Sequence, residues 1–177
     1  MLGIGWALRE TNADKSGHCG QHVDDGIRGI RRVMNDLRPA LLDDLGLMPA
    51  IQSLATDVRD RGGLAVDVEL PESVPRLAPE AELALFRAAQ EALANVIRHA
   101  DASRVTMRLS VGNRALRLVI TDDGRGLPPH AAGAVDPVSR LGLAGMRERI
   151  AALGGQASVA AARPHGVTVS VELPTPP

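Results

Sequence analysis

Glu91-Ala-Leu-Ala-Asn95-Val-Ile-Arg98-His99-Ala100 reads as the end of a helix, and Thr121-Asp122-Asp123-Gly124-Arg125-Gly126 as the end of a strand running into a turn. Asn95 and Arg98 stand four and seven residues after Glu91, so all three share one helix face. Leu83, Phe86, Leu93, Val96 and Ile97 form the opposite, apolar face. Alone, such a polar face suits the solvated side of any amphipathic helix. An Asn oxygen also suits Mg²⁺, a hard cation that binds through few protein groups plus phosphates. Asp-Gly after a strand is, alone, an ordinary turn. A carboxylate at that strand end can also accept a hydrogen bond from an adenine amino group. Gly124 and Gly126 would then let the backbone approach the base closely.

Between these stretches the sequence predicts two strands, Arg104–Val111 and Ala115–Thr121, joined at Gly112-Asn113-Arg114. Ahead of them, Leu45–Arg61 suggests a helix stopped by Gly62-Gly63, and Leu64–Leu70 alternates like a strand. Pro79 suits the first turn of the helix that runs to about Ala100. Further on, Leu127–Ser139 carries three Pro and reads as a loop, a candidate lid. Gly142-Leu143-Ala144-Gly145 is expected to open a short helix whose free N–H groups suit phosphate. That helix carries Leu143, Met146, Ile150 and Leu153 on one face and ends at Gly154-Gly155. Gln156–Ala161 and Val167–Leu173 are the expected closing strands. The mixture predicts an α+β fold, a two-layer sandwich of helices on one mixed sheet.

The N-terminal part differs. Val23, Ile27, Ile30, Met34, Leu37 and Leu41 follow a heptad-like stripe, suited to a partner helix or to packing on the same chain. Pro39 should end or kink that helix. Across the whole chain of 177 residues, 45% are hydrophobic but only 1% aromatic, so the core must be Ala, Leu, Val and Ile. So few rings argue against stacking on nucleic-acid bases, and a net charge of −1 gives no electrostatic case for nucleic acid or an anionic membrane. A lone cysteine, Cys19, excludes an internal disulfide and a Cys-based metal cluster. No apolar run is long enough for a membrane span, and Met1–Leu8 lacks the basic start of a signal peptide, which fits a cytoplasmic setting.

The motif order resembles the N, G1 and G2 boxes of the GHKL ATPases, the group of gyrase, MutL and the sensor histidine kinases. The segment Asp36-Leu37-Arg38-Pro39-Ala40-Leu41-Leu42-Asp43-Asp44-Leu45-Gly46-Leu47 resembles the nitrate-sensor and DesK type of histidine kinase. The resemblance covers nearly the whole chain. It implies the GHKL (Bergerat) sandwich, with residues 1–45 as part of a helical dimerisation hairpin and 46–177 as the ATP-binding catalytic domain. It also implies ATP and Mg²⁺ as cofactors. Asn95 becomes the magnesium ligand, and Glu91 the acidic residue that polarises the attacking group. Arg98 and His99 become phosphate contacts and Asp122 the adenine reader, with Gly124 and Gly126 giving room. Gly142, Leu143 and Gly145 line the phosphates. The partners implied are a response regulator and a second copy of the chain.

Two departures from the family pattern stand out. Arg140 occupies a position often held by Gly, and Gly166-Val167-Thr168 replaces a common Gly-Thr. Val167 thus puts a helper contact to adenine in doubt, and Thr168 should point to the other strand face. In these kinases the phosphate acceptor is a His in a His-Asp pair, roughly 50 residues ahead of the Leu-Arg-Pro motif. That places the expected acceptor before Met1, with His18 and His22 at the hairpin turn and far from it. The alternative is a nucleotide-binding interaction module, or a degenerate kinase, without autophosphorylation. Anti-sigma-factor Ser kinases share the pocket, but the Leu37–Gly46 segment does not suit them.

Overall fold

The computed structural model describes residues 38–127 and 137–175. Helix α1, Arg38–Leu45, is separated from α2, Leu47–Gly62, by Gly46 at φ +82°. The single helix expected from Leu45 is therefore broken one residue in, at a backbone angle that glycine adopts without steric cost. Pro39 does not end a described helix. It lies in α1, and the helix it was expected to end falls mostly on residues outside the described set. The apolar stripe from Val23 to Leu37 lies outside the described residues. At its end, Leu41 is half-buried against the core, and its neighbour Leu42 is buried within it.

Strand β1, Ala65–Glu69, leads through a Pro-rich connection to helix α3, Pro79–Asn95. Pro79 is at its start and Glu80 and Glu82 are in its first turn, all favourable there. The helix does not stop at Asn95. It widens into a π-helical turn, Val96–Ala100, closed by Asp101 in the left-handed region at φ 51°. Then come β2, Arg104–Gly112, a two-residue turn, and β3, Ala115–Asp122. Helix α4 spans Pro137–Ala152, and β4, Gln156–Ala161, and β5, Val167–Pro174, close the chain.

The five strands form one sheet in the order β1-β2-β3-β5-β4. Only β1–β2 is parallel, as Ala65 pairs with Arg104 across the α3 excursion. Alternation decides which face is covered. Val105, Met107, Leu109, Leu116, Leu118, Ile120, Val169, Val171 and Leu173 are buried on one side. The other side is polar, with ion pairs Arg104–Asp67 and Arg108–Glu69. The helices supply the second layer: Ile51, Ala55, Val58, Leu85, Ala89, Leu93, Met146 and Ile150 are buried in the same core. Each large aliphatic side chain so buried contributes on the order of 1.5–3 kcal/mol. This is the expected α+β two-layer sandwich.

Candidate nucleotide-binding site

The site is built where α3 ends and β3 ends. In α3 the buried residues are Ala84, Leu85, Phe86, Ala88, Ala89, Gln90, Ala92 and Leu93, more than one face of the helix. The small Ala side chains let α3 pack against α2, α4, β3 and β5. Glu91, Asn95 and Arg98 are therefore not on a solvated face: all three are half-buried. They bond to one another. Asn95 Nδ2 donates to Glu91 Oε1 at 3.3 Å, and Arg98 Nη2 donates to Asn95 Oδ1 at 3.0 Å and to Glu91 Oε1 at 3.4 Å. Arg98 Nε is held by the Ala94 carbonyl at 3.0 Å. The Arg98 side chain keeps only 11% of its exposure and Glu91 24%, so this pair is sheltered from screening. His99 sits half-buried in the π turn beside them.

The same cluster reaches α4. A Cβ at position 142 would collide with the Glu91 carboxylate, so Gly142 marks a close approach of α3 and α4. Here the structure corrects two expectations. Helix α4 begins at Pro137, so residues 137–139 are helical, and the rest of the expected loop falls largely on residues outside the described set. Gly142, Leu143 and Gly145 then lie inside a helix rather than at its start. Their N–H groups belong to the stretch where intrahelical bonding is available, not to the free first turn.

Asp122 is the last residue of β3 and is buried, at 5% exposure. Its Oδ1 accepts the Gly124 N–H at 2.9 Å. Gly124 is needed for a reason the sequence did not suggest. A Cβ there would strike the backbone and Cβ of Ala100, so the turn lies directly on the end of the π turn that continues α3. Gly126 adopts φ +80°, in the left-handed region that favours glycine. Gly166, at φ +101°, lies so close that a Cβ would overlap the Asp122 carbonyl oxygen. Thr168 pairs with Thr121, and their hydroxyls lie 3.1 Å apart on the face away from the core, as expected.

Sequence reasoning missed two residues. Asp123, to which the sequence reading assigned no role, accepts from Ser103 N at 2.9 Å, Ser103 Oγ at 2.6 Å and Arg104 N at 2.9 Å. The Ser103 hydroxyl, then the Arg104 N–H, draw its carboxyl down to about 2. The only signal in the sequence was a second carboxylate beside a turn. His165, between the two closing strands, places Nδ1 3.2 Å from the Gly124 carbonyl oxygen, and nothing local in the sequence announced that contact. Among the described residues no group of three His, Cys, Asp or Glu side chains could hold a metal ion. The oxygens of Asn95 and Glu91 are nonetheless hard donors of the kind that suits a Mg²⁺ shared with phosphates.

A buried carboxylate thus stands at a strand end, and the turn after it contacts the helix end that carries the acid–amide–guanidinium cluster. Residues 80–177 match the histidine kinase-, DNA gyrase B-, and HSP90-like ATPases, and the chain belongs to that family. Within that family its similarity is to sensor histidine kinases. It is 40% identical over 164 residues to the signal transduction histidine-protein kinase/phosphatase UhpB of Salmonella typhimurium, covering 90% of this chain and 31% of that protein. It is 36% identical over 152 residues to the sensor histidine kinase MctS of Rhizobium johnstonii, covering 86% and 32%. The mycobacterial sensor histidine kinase MprB superimposes with a TM-score of 0.55 at 28% identity, covering 72% of this chain and 95% of that one. The chain spans about a third of the length of the curated relatives it matches. No described helix is long and apolar enough to cross a membrane.

Proposed function

We propose that this domain binds ATP with Mg²⁺ and passes the γ-phosphoryl to a His on a dimerisation helix, for relay to an Asp of a response regulator. The observation that carries the reading is Asp122, a buried carboxylate at a strand end whose Oδ1 accepts from Gly124. A carboxylate has about four lone-pair sites, so one such bond leaves acceptor capacity for a ligand. A buried acceptor left short of partners is costly, and an adenine amino group would relieve that cost. Asn95 and Glu91 would hold Mg²⁺, whose role when bound is to neutralise charge on the phosphates. Glu91 orients the attacking group. Arg98, which bonds Asn95 and Glu91 in the free protein, carries the positive charge that turns to a phosphate, and His99 adds a second contact. Residues 1–45 serve as part of the dimerisation hairpin and 46–177 as the catalytic domain, with Gly142, Leu143 and Gly145 beside the phosphates.

The test is a fluorescent ATP titration of the wild type and Asp122→Ala. Losing a hydrogen bond to a charged acceptor should cost about 1.5–3 kcal/mol, roughly tenfold to a hundredfold in affinity. Equal affinity for ATP and GTP, or an unaffected Asp122→Ala, would sink the adenine-reading role. Transfer itself is read as acid-labile phosphohistidine on a dimerisation-helix fragment supplied in trans. Nucleotide binding without such transfer would favour the interaction-module reading instead.

A further inference from the structure

Base recognition by Asp122, the reading on which the role of its neighbour rests, requires that its carboxylate be held in one place. The residues around it show what holds it. Asp122 forms the last ladder pair of β2 and β3, with Val105. Asp123 stands just beyond, where a turn would ordinarily loosen. Its Oδ1 accepts the backbone N–H groups of both Ser103 and Arg104, and its Oδ2 the Ser103 hydroxyl. Its own N–H donates to the Arg104 carbonyl at 3.2 Å. Two residues on, the Arg125 N–H donates to the Ala100 carbonyl at 2.8 Å. Gly124, between these two anchors, donates the N–H that orients Asp122 Oδ1.

We infer that Asp123 is a positioning residue for base recognition: its carboxylate pins the turn to the start of β2, so that Gly124 aims the Asp122 carboxylate. The same clamp ties that turn to the chain leaving the Asn95–Ala100 helix end. Base-reading and phosphate-side residues thus share one rigid corner. Asp123 need not touch the nucleotide. It lowers the ordering cost of binding by fixing the reader beforehand.

Asparagine distinguishes position from charge. Its Oδ1 can accept both backbone N–H groups, while its amide donates to the Ser103 hydroxyl, which can accept as well as donate. The experiment uses the full chain with fluorescent ATP and GTP analogues, and the amide resonance of Gly124 as a local probe. Asp123→Ala is expected to weaken ATP about tenfold, reduce the ATP-over-GTP preference, and move the Gly124 amide. Asp123→Asn is expected to restore all three to near wild type. If Asp123→Ala does not fold, Ser103→Ala removes only the hydroxyl contact and should give a smaller change of the same sign. Wild-type ATP affinity with an unmoved Gly124 amide in Asp123→Ala, or in its place Ser103→Ala, overturns the inference. So does an Asp123→Asn as impaired as the Ala variant. An Asp122→Ala without effect would instead condemn the adenine reading itself, whatever Asp123 does.

Discussion

Adding one methyl group at Gly124 separates two explanations of that glycine. If it is there only to admit a nucleotide, Gly124→Ala should weaken binding and leave the free protein as stable as before. The structure says otherwise. The added Cβ would sit 2.7 Å from Ala100 Cβ and 2.8 Å from Ala100 C, and closer still to the Ala100 oxygen. Carbon atoms rest at about 3.5–4.0 Å, so roughly 1 Å of movement is required. The obstacle is backbone, which cannot swing aside. It also carries the bond from Arg125 N–H to Ala100 O. Overpacking costs about 1–3 kcal/mol and loss of that bond about 0.5–1.5 kcal/mol. A total of about 2–4 kcal/mol corresponds to a melting temperature lower by roughly 5–15 °C in a domain of this size. Thermal unfolding without nucleotide measures it, followed by an ATP titration at a temperature where both proteins are folded. A Tm within about 2 °C of wild type would refute the packing argument.

Asp123, held at about 2 in the fold against about 4 in an unfolded chain, adds stability that is complete above about pH 4 and lost as pH falls through 2. Urea unfolding between about pH 2 and 5 should therefore show a shallower acid decline in Asp123→Asn, and parallel curves would contradict the depressed carboxyl. Asn95→Ala should raise the Mg²⁺ concentration needed for half-maximal ATP binding while leaving metal-free binding little changed. An unshifted Mg²⁺ titration counts against Asn95 as a ligand. Leu85→Ala, at a fully buried position, should cost about 2–5 kcal/mol by denaturant unfolding, whereas a loss below about 1 kcal/mol would mean that the core there is loose.

Strands were legible because their signals are local. The alternation of Val105, Met107 and Leu109 marks one face, and the Asn113-Arg114 turn marks a hairpin. Pro79 announced its helix in the same way. What depended on contacts between distant segments was not legible. The half-burial of Glu91 comes from α4, and the reason for Gly124 comes from Ala100. The three bonds of Asp123 come from residues about twenty positions earlier. The start of α4 was misplaced because the sequence around Gly142 and Gly145 looked like a helix opening. Pro137 was weighed as a loop former, whereas it is helical. Pattern reading thus placed Asp122 at a strand end and Asn95 at a helix end but could not supply the neighbours that hold them.

The π turn at Val96–Ala100 makes the length of this segment matter as much as its composition. A π turn is an α-helix carrying one surplus residue, and that surplus resets the angular phase of the chain beyond it. Deleting a single residue between Val96 and Ala100 would let the helix relax to ordinary winding. Downstream side chains would rotate by about 100° and shift by about 1.5 Å. If the residue lost is Val96 or Ile97, Arg98 would stand only two residues after Asn95 and no longer face it, and Ala100 would leave the Asp-Gly turn without its seat. Homologous domains that differ here by one residue should therefore be mechanically incompatible as chimeras, even where each amino acid at the join is individually acceptable.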